Sequence, residues 1–457
     1  MIHIKKLITF LICFILILVF SSCNDIKNKN VTEITIWSSS TSSKVEYENL
    51  VDNFNQTIGK EKNIYINYIT IDSLLIKERL SAAFEEGNSP DMFLGFSKEF
   101  AEKGYIVPIK ELEGGNEFLK DFGSVPMRSE NSLNEDVYCL PISVTTQGLL
   151  YNKEMFKKAN LVDENGNPTP PETLEELREY AKILTNPDKD EYGIVLPLAW
   201  GSWYGSDIRS LMMSSCGFQE FNPVTGKYDY SGAVPIMETF LGIKEDKTYV
   251  PGAEKIDNDT ARALFASGGV GMKFGFSFDV GVLNDQYPAN IDWGVAPFPV
   301  ADRNNKYKQR MSYGYSFCVT KKAKDTVDNK KLIEVLNYFT SDETLEKFYL
   351  SGTNVPYKLS IVDNVKIDES KIKKGWKDFY DLVKISAIYP EIPVNNLASS
   401  QRIDNCFVEN VWTGKMTPYE CAKLSADEIN ASVFEYYQKL PDEEFNKFLI
   451  PDWDIKR

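Results

Sequence analysis

The sequence predicts an α/β protein built on a mostly parallel sheet, and three observations lead there. Short runs that alternate apolar and polar residues take turns with longer runs of helical period, the order that βαβ units produce. A hydrophobic content of 43% with 13% aromatic residues over 457 residues supplies large buried cores, which excludes a disordered chain. No internal repeat, heptad pattern or low-complexity tract is present, and the length suggests two or three structural units.

The elements follow in order. Residues 33–37 alternate like a strand, 45–54 carry a helical period, and 63–69 read as a second strand. An amphipathic helix over 74–84 stops at Gly87-Asn88-Ser89-Pro90, and the apolar run 91–94 is a third strand. Pro170 and Pro171 precede a helix reaching Leu184, with Thr173 and Glu176 spaced as a capping box. A helix over 261–266 turns at Gly268-Gly269-Val270-Gly271 into a strand. That turn is no phosphate loop, because no Lys-Ser/Thr follows it and the helix precedes it. Strands over 292–300 and 312–320, a helix over 330–339, and helices around Leu382 and over 422–437 complete the pattern.

The first residues follow a targeting pattern. Lys5 and Lys6 precede the apolar run 7–20, which is shorter than the ~20 residues a bilayer span requires. An ordinary signal peptide or a short membrane anchor would fit. Val19-Phe20-Ser21-Ser22-Cys23 also resembles a bacterial lipobox, with Phe20 where leucine is usual. That resemblance implies a signal peptide over 1–22 and a lipidated (diacylated, palmitate-bearing) Cys23 that anchors the chain to the outer face of the cell membrane. Residues 23–31, rich in Asn and Lys, then read as a flexible tether.

Charge and histidine usage exclude whole classes. Lys+Arg of 51 against Asp+Glu of 66 gives −15, and an anionic field of that size repels nucleic acid and lipid headgroups. The single histidine, His3, lies in the leader, so the mature chain has no Ser-His or Cys-His catalysis and no His-ligated metal. No catalytic residue, metal ligand or cofactor motif is singled out. Cys139, Cys216, Cys318, Cys406 and Cys421 are odd in number and lack a CxxC, which favours buried small hydrophobes over a disulfide framework.

Several short motifs then line up. They are Ile34-Thr35-Ile36-Trp37; Ser89-Pro90-Asp91-Met92-Phe93 with Gly104-Tyr105-Ile106-Val107-Pro108; and Tyr138-Cys139-Leu140-Pro141 leading to Tyr151-Asn152-Lys153. Pro171-Glu172-Thr173-Leu174 and Phe265-Ala266-Ser267-Gly268 with Gly271-Met272 complete the series. In this order the chain resembles the family 1 extracellular solute-binding proteins, the sugar-binding components of ABC importers. It departs from them at Phe278, where the family often has Trp, in a short loop between Asp91 and Gly104, and beyond Tyr437. The resemblance implies a two-lobed periplasmic-binding-protein type II-like fold with a hinge of crossing segments. The lobes would be 32–143 plus 316–352 and 148–312 plus 357–457, in a monomer that docks on ABC permease subunits. Crossings are expected near 143–148, 313–317 and 352–357.

A sugar site needs flat aromatic faces for C–H surfaces and polar groups for hydroxyls. Trp37, Ser38 and Ser39 stand at a strand's carboxyl end, where open α/β sheets bind ligands. Trp200, Trp203 and Tyr204 crowd one loop without a helical or strand period, which suits a stacking platform. Phe276 and Phe278 alternate like a strand, so core packing competes with a site role. Ser143, Thr145 and Thr146 fall on an expected crossing, with Tyr313 and Tyr315 on the next. The reading is therefore a binding protein with a carbohydrate ligand, an oligosaccharide above all. A surface glycosidase with two carboxylates, the same scaffold holding a polyamine, peptide, phosphate ester or metal chelate, and a sensor subunit remain alternatives. A phosphate ligand would call on arginines such as Arg209 or Arg262.

Overall fold

The computed structural model describes residues 31–41, 43–200, 207–352, 354–364, 372–393 and 403–457. Helical and strand segments form where their apolar periods fall. In Thr32–Ser38 the alternate residues Ile34, Ile36 and Ser38 are buried. The helix Lys44–Gln56 buries Tyr47, Leu50, Val51 and Phe54, one stripe at i, i+3, i+4 and i+7. The helix Leu174–Leu184 starts on the expected capping box: Thr173 accepts from the Glu176 N–H, and the Glu176 carboxylate accepts from the Thr173 N–H.

Two sheets organise two lobes. The first has five strands in the order Ile64–Thr70, Thr32–Ser38, Met92–Leu94, Phe317–Thr320 and Ile106–Val107. Its first three strands are parallel, as the βαβ pattern requires, and Phe317–Thr320 runs antiparallel to both of its neighbours. The second sheet has seven strands arranged about the long strand Pro141–Asn152. Here the expectation of a mostly parallel sheet fails. Val270–Phe276, Trp293–Ala296, Gln309–Tyr315 and Val355–Pro356 all pair antiparallel with that strand, and only Tyr192–Ile194 and Ser386–Ile388 join in parallel. The reason is its origin: the long strand arrives from the other lobe and enters from the opposite end to the strands that follow helices.

The run expected as one strand over 312–320 is two strands in different sheets. Gln309–Tyr315 belongs to the second and Phe317–Thr320 to the first, with the fully buried Ser316 between them. At that point two passages between the sheets lie side by side. Ser316 N–H donates to the Leu140 carbonyl at 2.8 Å, and its Oγ accepts from the Leu140 N–H at 3.0 Å. A third passage joins the helix Asp342–Leu350 to Val355–Pro356.

Separate cores sit beneath each sheet. Ile34, Phe54, Val107, Phe317 and Phe339 fill the first lobe. In the second, Leu149, Phe156, Met272 and Trp412 pack on one side, and Val144, Leu150, Trp293 and Phe379 on another. The chain end is tied to this lobe: Trp453 Nε1–H donates to the Gly217 carbonyl at 2.7 Å, and Arg457 N–H donates to the Lys306 carbonyl. The five described cysteines are free thiols, four of them buried. No described helix is long and apolar enough to cross a membrane.

Candidate functional site

Register explains how the site is assembled. In the antiparallel pair, Ser312 stands opposite Thr145 and Gly314 opposite Ser143, while Phe276 on the far side stands opposite Gln147. Directly opposed residues share a face and alternate residues repeat it, so Ser143, Thr145, Gln147, Phe276, Arg310 and Ser312 belong to one face of the second sheet. The other face carries Val144, Met311 and Tyr313 against the core. Thr146 points that way too: its hydroxyl bonds the Arg310 carbonyl at 3.1 Å and Ser386 Oγ at 2.9 Å. Gly314 permits the close approach of Ser143, whose Oγ lies 2.2 Å from where a Cβ would stand.

A cavity of about 500 Å³ opens between the lobes at the edge of this sheet, where residues of both its faces reach it. The first lobe contributes Phe96, Lys98 and the turn Arg128, Ser129 and Glu130. The second contributes the strand from Arg310 to Tyr315, with Gln219, Ile388 and Tyr389. Direct hydrogen bonds join the two walls: Arg128 Nη2 donates to the Tyr389 carbonyl at 3.1 Å, and the Ser129 N–H donates to the Glu391 carboxylate. Gln219 Nε2 donates to the Pro390 carbonyl at 2.8 Å, and Tyr389 Oη donates to the Lys308 carbonyl at 2.6 Å.

The electrostatics of the cavity are uneven. Glu220 pairs with Arg209 at 3.6 Å, and Glu130 accepts from Arg128 Nε at 3.3 Å. Members of both pairs act on Arg310. Burial, with Arg209 beside it, pushes the Arg310 guanidinium down to about 10, while Glu220 and Glu130 act in the opposite direction. At neutral pH it is still a cation. Burial raises the Tyr315 phenol above its ordinary range, and burial followed by the Tyr357 neighbour raises Tyr313. Both are neutral hydroxyls at pH 7, able to donate and to accept. Their rings stand 6.1 Å apart at 67°. Half-buried aromatic edges with hydroxyls, an amide and a cation can hold a polar solute by hydrogen bonds and ring contact. No cluster of metal-ligating side chains exists among the described residues.

Of the residues named from sequence, Tyr313 and Tyr315 line this cavity. Ser143 and Thr145 lie on the polar face beside it, Ser143 buried and Thr145 half-buried. Trp37 is half-buried and rests, with Phe96 and Tyr315, on one small apolar cluster around Phe93 and Phe100. Ser38 is fully buried, its Oγ accepting from the Ser40 N–H at 3.1 Å, and Ser39 is half-buried. A second aromatic group forms at the end of Val270–Phe276: Phe276 and Phe278 stack at 4.7 Å and 10°, with Trp200 edge-on to Phe276 at 6.1 Å. Trp203, Tyr204 and Cys23 lie outside the described residues.

Arg262 is locked away from any ligand, held by the fully buried Asp279 at 2.9 Å through Nε and by Asp259 at 2.7 Å through Nη1. Arg310, Arg128, Gln219, Phe96 and Tyr389 were not legible as site residues. Only Arg310 offered a signal, as the one charged residue in a strand otherwise made of Gln, Met, Ser, Tyr and Gly.

Two lobes around separate sheets, joined by paired crossings over a polar cavity, form the architecture of a solute-binding protein. The chain belongs to the family of bacterial extracellular solute-binding proteins, whose pattern it matches over residues 38–346. It is 23% identical to the maltotriose-binding protein of Pyrococcus abyssi over 334 residues, which span 70% of this chain and 65% of that one. It is 25% identical to the sn-glycerol-3-phosphate-binding periplasmic protein of Yersinia enterocolitica over 437 residues, covering 90% of this chain and 93% of that one. The fold is shared with maltose-bound MalE3 of T. maritima at a TM-score of 0.68 and 17% identity, over 87% of this chain and 98% of the other.

Proposed function

We propose that the protein captures a carbohydrate in the cavity between its lobes and delivers it to the permease of an ABC importer. The observation that carries this reading is that Tyr313 and Tyr315, on the second lobe's strand with Arg310 and Ser312, line one cavity with the Arg128 turn of the first lobe. A ligand there contacts both lobes at once. The names of relatives that bind maltotriose and maltose support a saccharide as the class.

Closure would be a hinge motion about the passages at Leu140, Ser316 and 351–354. The paired Leu140–Ser316 hydrogen bonds couple two of those passages, so they bend together. Residues 1–22 would direct export and Cys23 would carry the lipid, leaving a monomeric binding unit on a short tether at the outer face of the membrane.

The test is a thermal-shift screen of the chain from Asn24 onward against mono- and oligosaccharides, with polyamines, peptides and phosphate esters alongside. A ligand at 100 times its dissociation constant adds about 2.7 kcal/mol of stability. A shift from one saccharide class supports the reading. Silence from every saccharide with a response to a control class would keep the fold and remove the carbohydrate assignment.

A further inference from the structure

We infer that the solute held in the interlobe cavity is a saccharide carrying an anionic group, a carboxylate or a phosphate, which Arg310 receives. This rests on the carbohydrate reading and narrows it to acidic sugars.

Three observations lead to it. First, Arg310 lines the cavity from the polar face that also carries Thr145, Gln147 and Ser312. Second, the acids near it are already taken: Glu220 pairs with Arg209 and Glu130 with Arg128. Among the described residues no acceptor reaches hydrogen-bond or ion-pair distance of the Arg310 guanidinium, and Glu220 and Glu130 act on it without pairing with it. Third, Arg128 closes the same cavity from the opposite lobe, spending Nε on Glu130 and Nη2 on the Tyr389 carbonyl.

A half-buried guanidinium with no ion-pair partner among the described residues costs free energy in the ligand-free protein. That cost is relieved when a ligand brings the charge. The planar fork of arginine matches the two oxygens of a carboxylate or phosphate. The arrangement is selective because of its setting. With a net charge of −15 the chain as a whole repels anions, so a binding anion must gain its affinity locally, at the arginines. A neutral sugar of the same shape leaves Arg310 unpaired and desolvates it further, so it is discriminated against by the ligand's charge and not by size alone. Tyr313, Tyr315 and Phe96 provide ring surface for the sugar beside the anion site.

The experiment is calorimetric titration of the full mature chain with matched ligands. They are a uronic-acid oligosaccharide, its methyl ester, the neutral parent oligosaccharide, a sugar phosphate, and glycerol phosphate and inorganic phosphate as anions without a sugar ring. The acid or the sugar phosphate should bind at least about tenfold more tightly than its ester or neutral parent, in line with a charge-assisted pair. Which of the two binds distinguishes carboxylate from phosphate. Arg310→Gln should bring the anionic ligand down to the affinity of the neutral one, and Arg310→Lys should retain part of the preference. The comparison of acid with ester is made on the unmodified protein, so it stands even where a variant folds poorly.

Equal affinity for acid and neutral parent would overturn the inference while leaving the carbohydrate reading intact. An anion preference that survives Arg310→Gln would also overturn it. Glycerol phosphate or inorganic phosphate binding as tightly as the acidic saccharide would remove the saccharide from both. Failure of every saccharide, acidic or neutral, to bind would likewise overturn the inference together with the reading beneath it.

Discussion

Replacing Asp279 with asparagine removes one charge from an enclosed ionic cluster under the second aromatic group. Asp279 is fully buried and accepts from Arg262 Nε at 2.9 Å, from Arg262 Nη2, and from the Phe276 N–H at 3.1 Å. Lys273, itself 1% exposed, stands 3.9 Å away, and its other contacts are the neutral Asn258 Oδ1 and Phe274 carbonyl. Burial lowers the Lys273 pKa, and the Asp279 charge opposes that drop. Unit charges about 3 Å apart at an effective dielectric of about 20 attract by roughly 5 kcal/mol, an upper bound. Asparagine retains an acceptor for the Phe276 N–H, and Arg262 keeps the outer Asp259, so part of that figure is recovered. A net loss of about 3 kcal/mol is expected, at the lower end for breaking a buried pair. Urea unfolding of the ligand-free chain measures it, and for a lobe of about 200 residues the same change lowers the melting temperature by roughly 6–12 °C. Adding Lys273→Met should return part of the loss, because it removes the fully buried cation that Asp279 had compensated. A cost below about 1 kcal/mol for Asp279→Asn, or no recovery in the double variant, would refute the assignment of charge compensation to this cluster.

Other consequences follow from single positions. Gly375 has φ +81°, and a Cβ there would lie 2.1 Å from the buried Trp293 ring, so Gly375→Ala should cost about 1–3 kcal/mol and red-shift tryptophan emission. Ser316→Ala strips the buried Leu140 N–H of its Oγ acceptor and should cost about 1–3 kcal/mol in denaturant unfolding. Acid should destabilise the chain. The Arg178 guanidinium holds Asp246 below its usual value, the Trp412 indole N–H does so for Glu254, and Thr260 for Asp257. Groups with depressed folded pKa values contribute stability that is present above their unfolded values, about 4, and lost as pH falls through the folded ones. Melting temperature should therefore hold from about pH 8 to 5 and decline below about pH 4; a plateau continuing to about pH 3 would contradict these pairings.

How much was legible depended on whether the signal was local. The Thr173–Glu176 capping box, the helix stripe from Tyr47 to Phe54 and the strand expected over 33–37 (found as Thr32–Ser38) are set by neighbours in sequence, and they stand where periodicity put them. The resemblance implied a crossing near 313–317, but periodicity alone reads 312–320 as one strand, because nothing in the local pattern marks the change of sheet at Ser316. The antiparallel surroundings of Pro141–Asn152 were equally hidden, since direction follows from where the chain enters and not from composition. In the cavity, Tyr313 and Tyr315 could be named from their place beside a crossing. Arg310 could not, because its significance lies in which acids pair elsewhere, Glu220 with Arg209 and Glu130 with Arg128. That is decided by tertiary contacts among segments far apart in sequence.

Hydrogen–deuterium exchange with and without the saccharide found in the thermal screen is the most direct measurement of binding between the lobes. Ligand should slow exchange together in 309–315, in the turn around Arg128 and around Tyr389–Glu391, since one solute contacting both walls orders both. Protection confined to a single lobe, or centred on the Phe276–Phe278 stack with the cavity unchanged, would contradict capture between the lobes and place the ligand elsewhere.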